Sequence, residues 1–309
     1  MKTSTPSTPR KILIHNHQSP GDILVLTGTV RDIKLAHPEI EVAVKTTAME
    51  LWYNNPHISI PSKDSEIVLA EYPLIHKSNA VSSHFTEGFR LFFEDKLKLD
   101  IPQTSFKPDV HFLPDEKSKV EGKYWVIMAG GKFDFTAKWW HFNDYQKVVD
   151  HFKGKIKFVQ CGEKNHWHKP LSGVVDMLGK TNTREYMNVV NQSQGVLTPV
   201  SFGMHMAAAC DKACVVIAGG REPASWEQYS NHRFLDTCGA LDCCKFGGCW
   251  KSRCHQVGDG DEKDLEKNLC VNRVKREQDV YIPKCMDMIK PKHVIEAIEM
   301  YYEGGALCY

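Results

Sequence analysis

Hydrophobic positions along this chain change period in a regular order. Lys11–His15 is a short apolar run, and after a polar loop Ile23–Ala36 spaces Ile, Leu and Val at helical intervals, which predicts strand, loop and amphipathic helix. Glu41–Lys45 and Glu66–Ala70 predict two more strands, and Phe85–Leu97 a second helix. Ile101–Gly122 is polar and contains proline, as a linker does. Beyond it the alternation resumes, with strands at Tyr124–Met128, Ile156–Gln160, Gly195–Thr198 and Ala213–Ala218 and helices at Phe142–Phe152, Thr183–Asn191 and Met204–Cys210. Alternation of this kind predicts the α/β class: two Rossmann-like, doubly wound domains facing a cleft, with ligands beyond the carboxyl ends of the strands. The expected divisions are a flexible tail at 1–10, an N-terminal domain at 11–115, a C-terminal domain at 116–235, and a cysteine-rich segment with a C-terminal helix at 236–309.

Composition narrows the function classes. A chain of 309 residues with 42% hydrophobic and 25% charged residues is neither disordered nor fibrous. A formal charge of +1 gives no global attraction to nucleic acid or an anionic bilayer, so no nucleic-acid partner is expected. No apolar run approaches the ~20 residues a spanning helix needs, and the polar opening Met1–Pro20 is unlike a signal peptide. A cytoplasmic location is the expectation.

Candidate chemistry gathers at the loops that follow strands. Asp22 stands where the first helix begins, either as its N-cap or as a general base on the ligand edge of the sheet, and the two roles are compatible. Gly130 and Gly131 follow a strand and precede Lys138, a pattern that suits phosphate approach, although the GxxxxGK[ST] spacing is absent and a tight loop with solvated lysines fits equally. Glu163 after the next strand is either a sugar-hydroxyl acceptor or a solvated loop residue. Ser201, Gly203, Met204 and His205 open a helix of small residues whose free N–H groups favour an anion, with His205 open to a packing role. Arg221, after the strand Ala213–Ala218, has the fork to clamp a diphosphate.

Of 11 cysteines, seven fall between Cys238 and Cys285, spaced Cys-x4-Cys-Cys-x4-Cys-x4-Cys-x15-Cys-x14-Cys. Four converging thiolates would bind Zn²⁺ or iron and staple a loop-rich segment. The CxxC spacing is missing, and unligated thiols or disulfides are the alternatives.

Taken in order, these segments resemble glycosyltransferase family 9, the ADP-heptose heptosyltransferases of bacterial lipopolysaccharide assembly. The match rests on Gly21–Asp22–Ile23–Leu24, His37–Pro38–Glu39, Asn54–Asn55–Pro56, Lys138–Trp139, Gly162–Glu163, Leu178–Gly179–Lys180–Thr181, Met204–His205–Met206–Ala207–Ala208–Ala209 and the loop Gly219–Trp226. The resemblance implies a GT-B fold and an inverting glycosyltransferase that moves a heptose or related sugar from an ADP-linked donor to a hydroxyl of a glycan or protein. It implies Asp22 as base, Lys138 and Glu163 on the donor, Ser201 and its helix on the departing diphosphate, and no catalytic metal. Val200–Ser201–Phe202–Gly203 stands where the family carries Asp–Ser/Thr–Gly, so the donor-binding aspartate has no counterpart. The cysteine segment is similar to that of heptosyltransferases acting on bacterial autotransporters, which carry a cysteine-bound iron. That likeness implies a structural Zn or Fe held by Cys254 and Cys270 with Cys249 and Cys285, and His255 as an outside candidate. A lipid-linked acceptor would bring peripheral membrane contact, and an oligomer is compatible with this picture. The competing readings are a non-catalytic, metal-stapled GT-B binding protein and a GT-B-fold sugar-nucleotide epimerase.

Overall fold

The computed structural model describes residues 9–277 and 280–309, with the side chain of His76 also outside the description. Most of the expected tail, residues 1–8, therefore lies outside the described residues. The chain divides into two compact units: unit 1 comprises residues up to Ile75 together with Phe85–Pro114, and unit 2 comprises His76–His84 with Asp115–Tyr309.

Unit 1 is built from β1 (Lys11–Asn16), α1 (Pro20–Ala36), β2 (Glu41–Thr46), β3 (Glu66–Leu69) and α2 (Phe85–Leu97). Its three parallel strands run in the order β2-β1-β3. Alternation along β1 buries Ile12, Ile14 and Asn16, and register sets Val68 of β3 beside Ile14, so these side chains share the buried face. Helix α1 begins with Pro20 at its first turn, where the missing N–H is no loss. The segment expected to be a linker is anchored along its first part. Arg31 of α1 donates to Thr104 Oγ1 at 3.1 Å and to the carbonyls of Ser105 and Lys107 at 3.0 and 3.2 Å, while its neighbour Asp32 pairs with it at 3.0 Å. Ile101, at the start of the segment, is buried, and its N–H donates to Glu94 of α2 at 3.0 Å.

Unit 2 carries β4 (Trp125–Ile127), β5 (Gly130–Gly131), α3 (Phe142–His151), β6 (Phe158–Gln160), β7 (Trp167–His168), β8 (Val175–Asp176), α4 (Thr183–Asn191), β9 (Gly195–Pro199), α5 (Phe202–Ala209), β10 (Ala213–Gly219), α6 (Ala224–Glu227) and β11 (His232–Asp236). There follow β12 (Arg273–Lys275), β13 (Tyr281–Pro283), α7 (Lys284–Met288) and α8 (Pro291–Glu303). Six parallel strands form one sheet in the order β11-β10-β9-β4-β6-β8. Strands β4, β6 and β9 are buried at every position, because helices cover both faces. On one face Trp125, Ile127, Phe158, Val215 and Ile217 pack with α3 and α8. Helices α4 and α5 contact one another and α5 contacts β9 and β10. Two of the core aromatics satisfy their polar ends: Trp140 Nε1 donates to the Ile289 carbonyl at 2.8 Å, and Tyr301 Oη donates to the Asn231 carbonyl at 2.7 Å.

Residues 236–309 pack as part of unit 2. Within the cysteine-rich stretch the fully buried Arg253 forms a bidentate pair with Asp259 at 2.9 and 2.7 Å and also contacts Asp264. Asp264 in turn accepts from the Val257 and Gly258 amides at 2.9 and 2.7 Å. One guanidinium and two carboxylates thus organise a loop that has few apolar residues.

Gly195 lets β9 lie against Trp125 of β4, since a Cβ there would stand 2.7 Å from the indole ring. Gly195→Ala should overpack the centre of the sheet and lower stability by roughly 1–3 kcal/mol. Urea denaturation checks this, and an unchanged midpoint contradicts the packing described.

Candidate active site

Strand order fixes where unit 2 can hold a ligand. From β4 the chain crosses to β6 and β8 on one side and then, through α4, to β9 on the other, so the switch point lies between β4 and β9, the position where doubly wound sheets hold ligands. The two loops at this point carry Gly130 and Gly131 on one side and Ser201, Gly203, Met204 and His205 on the other.

After β4 the chain takes an extended turn through Gly130, at φ +146°, a conformation that excludes side chains. A Cβ at Gly130 would collide with the Trp167 carbonyl at 1.9 Å, so this glycine serves the antiparallel pairing of β5 with β7. Behind it Trp139 and Trp167 stack with ring centroids 4.3 Å apart. After β9, Ser201 caps α5: its Oγ accepts from the Gly203 N–H at 3.2 Å and lies 2.7 Å from Thr198 Oγ1. Gly203 packs on Met128 and the Tyr186 hydroxyl, and Met204 is wholly buried, so Met204 belongs to the wall of the core.

Lys138 and Arg221 meet through a residue that the sequence pattern does not single out, Glu222. Lys138 Nζ lies 2.7 Å from Glu222 Oε1, and the Arg221 guanidinium contacts the same oxygen. Arg221 is nearly buried. Its Nε donates to the Lys251 carbonyl at 2.6 Å, and its guanidinium lies 5.1 Å from the Phe135 ring centre and 5.6 Å from that of Trp250. Two cations on one carboxylate leave a net positive charge beside the loop after β10, which suits a diphosphate. Glu163 lies apart from this group. It is solvent-exposed, 3.4 Å from His166 Nε2, on a loop joined to Gly179 by the Gly179 N–H to Gly162 carbonyl bond of 2.9 Å.

His205 occupies a polar cluster of its own. Its Nδ1 lies 2.8 Å from the Tyr229 hydroxyl and its Nε2 is 3.7 Å from Glu227. The rings of His84 and His232 lie edge-on to Tyr229, at 4.8 and 5.2 Å between centroids. Burial holds all three histidines neutral: His84 is lowered to about 4, His232 to about 3, and His205 well below its usual range, with the Lys138 charge adding to the effect of burial on His205.

In unit 1, Asp22 is the third residue of α1, and Ser19 is the N-cap where the sequence suggested Asp22 itself. Asp22 Oδ2 accepts from the Ser19 N–H at 3.1 Å and from the Tyr72 hydroxyl at 2.9 Å. The carboxylate is thereby fixed on the carboxyl side of β1 while still half-exposed.

Among the cysteines, Cys254 and Cys270 are brought into contact. The Cys254 thiol donates to the Cys270 sulfur, which pulls Cys270 down to about 7 and drives Cys254 upward. Cys249 and Cys285 flank Gly220: the Cys249 N–H bonds to its carbonyl at 3.1 Å, and the Gly220 N–H bonds to Cys285 sulfur. Burial pushes Cys285 up to about 12. As a donor set, four thiols, with one pair in contact and the other two on either side of the Gly220 turn, have the chemistry of a soft or borderline metal's ligands. Among the described residues, however, no three cysteine sulfurs lie mutually within 4.8 Å, and the one His/Cys/Asp/Glu group meeting that separation is His57, Asp109 and His111.

An α/β chain with such a switch point has the doubly wound architecture whose ligands lie beyond the carboxyl ends of the strands. Residues 54–237, more than half of the chain, match glycosyltransferase family 9 (heptosyltransferase), so the chain belongs to this family and is a glycosyltransferase. No curated protein sequence matches it. It is similar in structure to the bacterial iron-containing dodecameric glycosyltransferase TibC from enterotoxigenic E. coli, with a TM-score of 0.67 at 14% identity over 96% of this chain and 77% of that one. The E. coli ADP-heptose lipopolysaccharide heptosyltransferase II matches at 0.59, with 12% identity over 96% of this chain and 100% of its own. The E. coli heptosyltransferase WaaC bound to ADP also matches at 0.59, with 14% identity over 95% and 98%. These likenesses establish the α/β fold of the GT-B heptosyltransferases. No described helix is long and apolar enough to cross a membrane.

The buried histidines make stability pH-dependent. Their folded pKa values lie below the ordinary value of about 6.5, so the unfolded chain binds more protons as pH falls. The contribution of these three groups should be level above about pH 6.5 and decline toward pH 4, with a limiting slope near 4 kcal/mol per pH unit if His84, His205 and His232 protonate only on unfolding. His232→Leu should remove about one proton's worth of that slope, as read from denaturation midpoints across pH; an unaltered slope contradicts the assignment.

Proposed function

We propose that this glycosyltransferase moves a heptose or a closely related sugar from an ADP-linked donor to a hydroxyl group, with inversion at the anomeric carbon. The observation that carries the reading is the meeting of Lys138 and Arg221 on Glu222 beside the loops of the switch point, together with the family match. Solved relatives support the donor assignment: TibC has been seen with ADP-D-β-D-heptose and WaaC with ADP. In this reaction the acceptor oxygen forms the new bond to the anomeric carbon as the bond to the β-phosphate oxygen breaks. The acceptor proton passes to the Asp22 carboxylate, and ADP departs. Tyr72 and the Ser19 amide hold that carboxylate in one orientation. Lys138, Arg221 and the N–H groups opening α5, capped by Ser201, stabilise the charge that develops on the diphosphate. Gly130, Gly131 and Gly203 give the donor close backbone approach, while Met204 and His205 shape the wall behind it. Glu163 binds sugar or ribose hydroxyls. The acceptor is a hydroxyl of a glycan or a protein. Lipopolysaccharide core would make it lipid-linked, with peripheral membrane contact at a cytoplasmic face, and assembly into an oligomer accords with the dodecameric relative.

Asp22→Asn should abolish turnover, by at least about 100-fold, while leaving ADP affinity within a factor of about two, because it removes the base and spares the donor contacts. Incubation with a panel of nucleotide sugars and acceptors, followed by mass spectrometry of the acceptor, tests the whole reading. A heptose increment supports it, and donor binding without transfer to any hydroxyl contradicts it.

We also read Cys249, Cys254, Cys270 and Cys285 as ligands of a structural Zn or Fe. The support is the Cys254–Cys270 contact and the iron content of TibC. A soft metal bound there would hold the thiols as thiolates and tie β12 and its flanking loops to the Gly220 turn. Elemental analysis of protein purified without added ions should give one metal per chain, and Cys270→Ser should lose it together with several kcal/mol of stability, roughly. Metal-free protein with an unaltered melt in that variant removes the site.

A further inference from the structure

Unit 1 contains a second constellation of metal-ligating groups, independent of the transfer reaction. His57 lies on the loop after the short helical turn Met49–Trp52, and Asp109 and His111 lie on the segment that Arg31 anchors. One nitrogen from each imidazole and one Asp109 oxygen all fall within 4.8 Å of one another. His111 Nε2 stands 2.8 Å and His57 Nε2 3.7 Å from the same oxygen, Asp109 Oδ2. Ligands at about 2.0–2.2 Å from a common ion stand roughly 3 to 4 Å from one another, so these spacings fit a single divalent cation with little movement.

Protons alone explain only part of this arrangement. A hydrogen bond from His111 to Asp109 accounts for the 2.8 Å separation, but 3.7 Å is too long for His57 to share it. Arg31 pairs with Asp109 only at the edge of ion-pair range, 4.0 Å from the other carboxylate oxygen, while its hydrogen bonds go to Asp32, Thr104 and the carbonyls of 105 and 107. The backbone beneath two of the three ligands is fixed: the Asp109 N–H donates to Thr27 Oγ1 at 2.7 Å, and the His57 N–H to Asn55 Oδ1 at 2.8 Å. The side chains are 18%, 16% and 30% exposed, which leaves room for water to complete the coordination.

We propose that His57, Asp109 and His111 form a binding site for a borderline divalent cation, of which Zn²⁺ is the representative, clamping the 53–60 loop to the 101–113 segment within unit 1. Two imidazoles and a carboxylate suit Zn²⁺, Co²⁺ or Ni²⁺ better than Ca²⁺ or Mg²⁺, which take oxygen ligands.

The cysteines of unit 2 also bind such ions, so the test must tell nitrogen and oxygen ligands from sulfur. Titrating the full-length reduced protein with Co²⁺ should produce weak visible ligand-field bands without sulfur-to-cobalt charge transfer, in addition to any thiolate signal. His57→Gln and His111→Gln should each remove that component, with affinity falling by about 100-fold or more, and leave any thiolate bands in place. In the parent protein, Zn²⁺ should protect both His57 and His111 from diethylpyrocarbonate, as mapped by peptide mass spectrometry, a readout that does not depend on the variants folding. Cobalt spectra of purely thiolate character, or equal modification of both histidines with and without Zn²⁺, would overturn the proposal.

Discussion

The central constraint in unit 2 is that β4 must be apolar on both faces and hydrogen-bonded on both edges. Trp125, Val126 and Ile127 meet this demand, and Gly195 meets its counterpart by leaving space for the indole. Once that strand is central, right-handed crossovers send the chain first to one side and then to the other. The diverging loops at the carboxyl ends are then a consequence of packing, before any side chain has been chosen for chemistry. That Gly130, Gly131, Ser201 and Gly203 gather there follows from the same topology.

Charge in unit 2 is managed by sharing. A lone buried guanidinium would be costly, yet Arg221 is covered by aromatic rings, the Lys251 carbonyl and Glu222, so its burial is offset. Lys138, on the same carboxylate, remains partly exposed. In the proposed reaction, an incoming diphosphate would meet a cation already desolvated on one side and oriented by its partner, the preorganisation that electrostatic catalysis requires. Arg253 applies the same logic in the cysteine-rich stretch, where Asp259 and Asp264 take the place of the absent apolar core.

Much of this was legible in the sequence because the long elements are strongly periodic. Strands β1, β2, β9 and β10 and helices α1 to α5 fall within a few residues of where hydrophobic spacing set them. Short pieces escaped: β5, β7 and β8 have two residues each, too few to show a period, and their pairing is dictated by neighbours distant in the chain. Asp22 was recognisable as a helix-start carboxylate, but its place as third residue depended on Ser19, three positions earlier, taking the cap. Lys138 and Arg221 could be singled out one by one. Their common partner was hidden because nothing local distinguishes a bridging Glu222 from an ordinary loop glutamate. His57, Asp109 and His111 gave no signal either, since 52 positions separate the loop residue from the Asp-x-His pair that folds beside it.

Residues 76–84 hold one more implication. They lie in sequence between two parts of unit 1 but fold into unit 2, where Asn79 bonds both the amide and the carbonyl of Gly248 and His84 lies edge-on to Tyr229. Unit 2 is consequently not a contiguous stretch of polypeptide. A fragment starting at Asp115 would be born with an unfilled slot, its Gly248 amide bare and its Tyr229 ring short of one neighbour, so during synthesis this unit must wait for its last helix while keeping hold of a ribbon made long before.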